Sequence, residues 1–423
     1  MTLTLNAVEE LGSLHSEPEW LRGQRRDAFH LFEQMNYPSR EQEEWRRTSL
    51  HGLDLNSFAP FELAGSRFIA DQWESGGFLQ QQGSEPGQVK LDAELQRQGV
   101  ILLPLSQAAR EYPELIQDRL FSSAAPHRDK LSALHAALFS GGTFLYVPAG
   151  VRITQPLGSR FWSSAEGALT LPHTLIVAGA GSSFNYFDEF LSPLSERPAY
   201  CSGSVEIFAE EASQVGYVAL QRWGDQVWQF ADQRAHIGRD ATVQLINIGL
   251  GGRFSKHRVE ADLAGRGASA ELKGMYFGDG EQFFDYHTLQ RHLVGDTTSD
   301  LLFKGALAGK SQAVYAGLIR IEPQAARSNA YQADRNLLLS STARAHSIPM
   351  LEIHNNDVRC THGATVAPLD PEHIFYLESR GIPPTVAEQM IVRGFFGEVL
   401  ERIPIPQIQE VVMSELEARV GQD

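Results

Sequence analysis

Cysteine is nearly absent: Cys201 and Cys360 are the two in 423 residues. Two thiols build no disulfide framework and cannot alone close a zinc site or a four-thiolate iron–sulfur site, so a reducing, cytoplasmic setting is expected. Long apolar runs are missing too; no stretch approaches the roughly 18 residues of a membrane span. The start, MTLTLNAVEELGSLHSE, has neither the basic nor the apolar region of an export signal. Basic residues are outnumbered 36 to 52, and a net charge of −16 would be repelled by phosphate backbones and anionic lipid heads. Nucleic acid and membrane are therefore not expected partners. No GxxxxGK[ST] loop, no GxGxxG between strand and helix and no GxSxG elbow occurs, which leaves nucleotide chemistry and a serine hydrolase without support.

What is present is ordinary globular material: 42% hydrophobic and 21% charged residues, long enough for two to three structural units. Residues 1–140 read as a mostly helical region. Trp20, Leu21, Ala28, Phe29 and Phe32 share one stripe of a helix from Pro18 to Met35. Ser39 and Gln42 have capping-box spacing for a short second helix through Trp45 and Arg46, with Arg46-Arg47 as its solvated end. Residues 80–88, QQQGSEPGQ, read as a flexible connection. A third helix is expected from about His127 to Phe139, stopped at Gly141-Gly142.

From 141 to 368 the texture changes to short β-rich runs such as TFLYV, VEIF, VGYVAL and TVQLINI. Small-residue turns recur at Ala178, Ala209, Ile237, Ala264, Leu293 and Leu307, spaced 31, 28, 27, 29 and 14 residues apart. Spacings near 28, with one near half, favour a β-solenoid of stacked coils over a β-sandwich. Residues 369–423 read as three helices. Asp370-Pro371-Glu372 opens the first and Pro383-Pro384-Thr385 the second, in which Ala387, Ile391, Phe395 and Val399 form a stripe widened by Val386 and Met390. The third presents Ile408, Val411, Val412 and Leu416. These apolar faces suit a cap on the solenoid end or the docking of a partner.

His287 and His292 are five apart, on opposite faces of a strand, and read as structural or surface residues, as do the isolated His236 and His257. Cys201 reads as a small buried hydrophobe. The segment LEIHNNDVRCTHGATV, residues 351–366, is different. In an extended strand Cys360 and His362 point to one face with Cβ atoms about 6–7 Å apart, so a thiolate and an imidazole can converge on iron, zinc or copper. Two ligands leave such a site open, to be completed by another subunit or a nearby carboxylate such as Asp357. A Cys–His nucleophile is the competing use, but parallel side chains do not suit it.

Taken together, EEWRRTSL, LHAALFSGGTFLYVPAGVRITQPL, DYHTLQRHL, SDLLFKGAL, AYQADRNLLLS and IPMLEIHNNDVRCTHGATVAPLDPEHIFYLESRGIPPTVAEQMIVRGFF resemble the SufB/SufD family, scaffold subunits of the SUF iron–sulfur cluster assembly system. Residues 52–125 carry little of the likeness. The resemblance implies a right-handed parallel β-helix between two helical regions, and a non-catalytic scaffold in a SufB–SufC–SufD complex. It also implies that the C-terminal helices dock the SufC ATPase and that the β-helix pairs with SufB. Where SufB-like chains carry a cysteine and a glutamate this chain has Ile353 and Gly363, which places it on the SufD side. His362 then matches the histidine associated with the cluster site at the SufB–SufD interface, and Cys360 the neighbouring cysteine, with a transient iron–sulfur cluster or iron as the species handled. Asp357 or His354 would orient the imidazole. A reduced flavin held by the complex, a homodimer in isolation and a SufB-like cluster-carrying role stay open. The rivals are a metal-free homodimeric β-helix and a β-helical hydrolase or lyase.

Overall fold

The computed structural model describes residues 3–62, 73–163 and 167–421. Its centre is a β-solenoid of about eight turns in which successive strands alternate between two sheets. The first sheet runs, in spatial order, through β2 (Gln88–Leu91), β1 (Gly77–Gln82), β5 (Leu157–Trp162), β8 (Ser183–Leu191), β10 (Gln214–Arg222), β12 (Thr242–Gly249), β14 (Ser269–Gly278), β16 (Thr298–Leu307), β18 (Ser328–Leu338) and β20 (Val358–Pro368). The second runs through β3 (Ile101–Pro104), β4 (Gly142–Val147), β7 (His173–Ala178), β9 (Ala199–Ala209), β11 (Val227–Ile237), β13 (Phe254–Leu263), β15 (Phe283–His292), β17 (Gln312–Ile321) and β19 (Arg344–Ile353), with the short β6 (Leu169–Thr170) beside β9. Pairing is parallel from coil to coil.

The repeat seen in the sequence is this register. Ser183 sits beside Gln214, Gln214 beside Thr242, Thr242 beside Ser269 and Ser269 beside Thr298, the same steps of 31, 28, 27 and 29 residues. The half-step to Leu307 is the opposite corner of one coil, between β16 and β17. At the recurring corner each coil puts one residue in the left-handed region: Gly150, Gly181, Ala212, Asp240, Gly267, Asp296 and Arg327. Several of their amides bond to the next coil, from Gly150 N to Ala180 O (2.8 Å) to Arg327 N to Asp357 O (2.6 Å). Small and Asp residues recur there because this backbone conformation penalises most side chains.

Within each strand, alternate side chains meet between the sheets, where Tyr186 stacks on Tyr217 and Tyr276 on Phe284 and Tyr286. The other alternate set faces outward and is covered by helices. Over the second sheet lie α1 (Leu5–Leu14), α2 (Glu19–Gln34) and α6 (Lys130–Leu138), packed on Tyr200, Trp228, Phe230 and Phe254. The smaller α3 (Ala93–Arg97), α4 (Leu105–Glu111) and α5 (Pro113–Ile116) belong to the same end of the chain. Over the first sheet lie α8 (Pro384–Leu400) and α9 (Pro406–Arg419), preceded by α7 (Pro371–Ser379). Val392, Phe396, Val399, Ile408 and Val412 pack there on Val218, Ile246, Met275 and Phe277.

Four expectations change. Of the helices after 369, α8 and α9 cover the flank of the first sheet rather than capping the solenoid end, and α7 buries no residue. The buried side of α8 is Val392, Phe396 and Val399, so Val386 and Met390, assigned to the inward stripe, are exposed. Residues 80–88 are no flexible connection: they hold the turn and both flanks of the antiparallel β1–β2 hairpin, with Gly77 opposite Leu91. The helix after Ser39 shrinks to a 3-10 turn, Glu43–Trp45, although the Ser39 amide does donate to Gln42 Oε1 (3.2 Å). A helix over Leu5–Leu14, capped by Thr4, was not read at all.

Two outcomes follow from the covered flank. Removing residues 370–423 uncovers Val218, Ile246, Met275 and Phe277, so the truncated chain should bind a hydrophobic dye and aggregate on gel filtration. Phe396→Ala, at a fully buried position, should cost about 3–5 kcal/mol in denaturant unfolding.

Candidate functional site

The two ends of the solenoid differ. At the N-terminal end the first sheet finishes in the four-residue β2 and the second in the four-residue β3, both turned antiparallel. At the other end the sheets finish in the ten-residue β19 and the eleven-residue β20. Each is paired on one side alone among the described residues, and neither contains a buried residue. Leu351, Ile353, Val366 and the adjoining Tyr331 are exposed. Long, flat, unpaired strands are what soluble proteins otherwise avoid.

Register places the sequence-predicted residues on this open end. Cys360 lies beside Ala330 and His362 beside Gln332, both on the inward row of β18. Cys360 is half-buried against the apolar group of Ile319, Ile321, Ala325 and Ala330, and that burial pushes its thiol pKa up. His362 is exposed. The alternation of a strand thus puts thiol and imidazole on one face, at the mouth of the solenoid. Ile353, beside Ile321 on β17, faces the same mouth from the other sheet. A Cβ at Gly363 would meet only the Tyr331 hydroxyl, at 3.9 Å, so the backbone there does not demand glycine.

The other named residues are engaged elsewhere. His354 Nε2 lies 2.9 Å from Glu352 Oε1, and the Asp357 backbone is held by the Arg327 and Asn355 contacts at the corner. Among the described residues no group of three or more His, Cys, Asp or Glu side chains could hold a metal ion. Cys201 is buried and its thiol pKa is raised by desolvation, the behaviour of a core residue. His292 points inward, Nδ1 to Thr297 Oγ1 (2.7 Å) and Nε2 to Ser299 Oγ (2.9 Å). His287 points outward, 2.9 Å from Asp285. His236 is exposed.

Two features were not read from the sequence. Just below the mouth, the inward row of β18 is polar: Gln332, Asp334 and Asn336 are buried, Asn336 Nδ2 donates to Asp334 Oδ2 (2.7 Å), and Tyr276 OH donates to Asn336 Oδ1 (2.6 Å). Desolvation raises the Asp334 carboxyl from 3.8 to about 7. The signal was the polar alternation in AYQADRNLLLS. Secondly, two motifs far apart in sequence meet on the outer face of the second sheet. Thr48 bonds Asp285, which also holds Lys256 (2.7 Å), while Glu44 pairs with Arg258. Arg46 and Arg47 stay partly solvated, as expected.

The fold and the mouth define a two-sheet parallel β-solenoid whose last strands are, among the described residues, unpaired on their outer edges and carry a thiol and an imidazole. Comparison with known families identifies it further. Residues 161–395 match the SufBD core domain of SUF system FeS cluster assembly, and 87–158 match the SufBD protein N-terminal region. The chain belongs to the SufBD family of iron–sulfur cluster assembly proteins. It is 29% identical to the iron–sulfur cluster assembly protein SufD of Bacillus subtilis (strain 168), covering 98% of this chain and 97% of that protein. It is 27% identical to SufBD family proteins of Staphylococcus epidermidis and Staphylococcus haemolyticus, over 99% of this chain and 94% of each relative. The N-terminal match takes in residues 87–125, where the sequence motifs had carried little.

The buried carboxyl at the mouth gives a pH test. With its pKa raised from 3.8 to about 7, folded Asp334 keeps a proton that the unfolded chain has released, so this group's contribution to stability falls as pH rises through that window. Asp334→Asn removes the slope. Denaturant titrations should find D334N gaining on the unsubstituted chain between pH 5 and pH 8.

Proposed function

We propose that this chain is a non-catalytic scaffold subunit that works in the cytoplasm within a SufB–SufC–SufD complex, pairing with SufB through its open solenoid end and docking the SufC ATPase through its C-terminal helices. The observation that carries the reading is the asymmetry of the ends. Two long strands with free hydrogen-bonding edges and exposed Leu351, Ile353 and Val366 suit another solenoid end-on, each sheet continuing across the junction. The Cys360–His362 pair fits the same geometry, on the open end where a partner's residues would meet it. A transient iron–sulfur cluster or its iron is then cargo held between subunits. A neutral imidazole and a thiolate are suitable donors for it. Pairing of two copies through the same edges, a homodimer, is what the isolated chain would be left with when SufB is absent.

SufC docking is supported by the outward side of the C-terminal helices. Phe375 is 71% and Tyr376 57% exposed, and Val386 and Met390 are exposed on the neighbouring helix. α7 contributes no residue to the core. Four large apolar side chains thus stand exposed on α7 and α8, a composition suited to a protein partner.

His362→Ala should lower the cluster yield of the reconstituted complex, measured as iron and sulfide per complex, with melting temperature and SufB association nearly unchanged. Normal yield, or loss of folding, removes His362 from the site. Phe375→Ala combined with Tyr376→Ala should weaken SufC association at least tenfold by titration while leaving SufB pairing intact.

A further inference from the structure

Halfway along the solenoid the interior is not apolar. Gln233 on β11, Asn247 on β12 and His257 on β13 all point between the sheets and are nearly inaccessible. Five of their polar atoms, Gln233 Oε1, Asn247 Oδ1 and Nδ2, and both ring nitrogens of His257, have no hydrogen-bond partner among the described residues. The three side chains line a common cavity of about 10 Å³, to which Gly203, Ala219 and Ala231 contribute by their small size. Leaving five such atoms dry would cost an amount comparable with the whole net stability of a domain. A space of this volume admits about one water, and a water needs two to four polar partners, which this cavity has.

We propose that the solenoid interior binds a single structural water between Gln233, Asn247 and His257. Burial lowers the His257 pKa to about 3, so the ring is neutral and offers one donor and one acceptor. Taking a hydrogen from the Asn247 amide nitrogen and giving its own to Gln233 Oε1 and to the one His257 ring nitrogen that faces the cavity, a water finds three partners, within the two to four it needs. The chosen ligand is water because the cavity holds nothing larger and its lining carries no charge. The role follows from strand geometry: a one-residue slip of any of the three strands turns its polar side chain to the outer face and empties the node. The water therefore locks the register of three consecutive strands across both sheets.

A crystal structure of the full chain tests this. One ordered solvent peak within hydrogen-bond reach of Asn247 and His257 is expected; an empty cavity, or density larger than one water, overturns the proposal. Asn247→Leu, similar in volume, should abolish the peak and lower the folding equilibrium constant about tenfold in denaturant titration. A variant as stable as the unsubstituted chain, or more so, would mean that the site is dry and the proposal wrong. Should Asn247→Leu not fold, the peak in the unsubstituted chain decides.

Discussion

The hydrogen bonding of each coil to the next is the constraint on which the rest depends. In a parallel solenoid every strand's amides and carbonyls are satisfied by the coils before and after it, and the demand is met everywhere but at the ends. At the first end the chain meets it by folding back: β2 and β3 are short and antiparallel and finish the sheets. At the last end nothing in the described chain does so, and two full-length edges stand open. The exposure of His362 and the half-burial of Cys360 are consequences, since an additional coil would have buried the row they occupy.

The same stacking governs the flanks. Because β-strands alternate, a solenoid with an apolar interior also has two outer faces, and here both are partly apolar. The N-terminal helices cover one around Tyr200, Trp228 and Phe230, and the C-terminal helices cover the other around Ile246, Met275 and Phe277. Ion pairs fasten the layers. The buried Lys304 donates to the Phe395 carbonyl (2.9 Å) and pairs with Glu398, and Glu44 and Thr48 reach Arg258 and Asp285 across the opposite face. The helices are thus part of the folded unit, and only their outer sides are free for a partner.

How much of this was legible depends on how local its cause is. The coil length could be read because a corner needs a left-handed residue, and Gly, Ala, Asp and Ser mark it in sequence; the steps of 31, 28, 27 and 29 residues became the register without adjustment. The shared face of Cys360 and His362 was legible because a strand's period is two. The inward side of α8 was misread because that helix is apolar over most of its circumference, so periodicity does not choose a face; Val392 and Phe396 won because Met275 and Phe277 lie under them.

By itself, the sequence determined the family, the repeat, the strand that carries the thiol and imidazole, and the presence of helical regions before and after the solenoid. The family rests on its motifs, and the others on spacing along the chain. Only the tertiary structure decided which end of the solenoid is closed, where the C-terminal helices lie, that residues 80–88 form a hairpin, and that Gln233, Asn247 and His257 share one cavity. Those depend on contacts between residues tens to hundreds of positions apart, whose energies come from burial and pairing in three dimensions and leave no periodic trace in one.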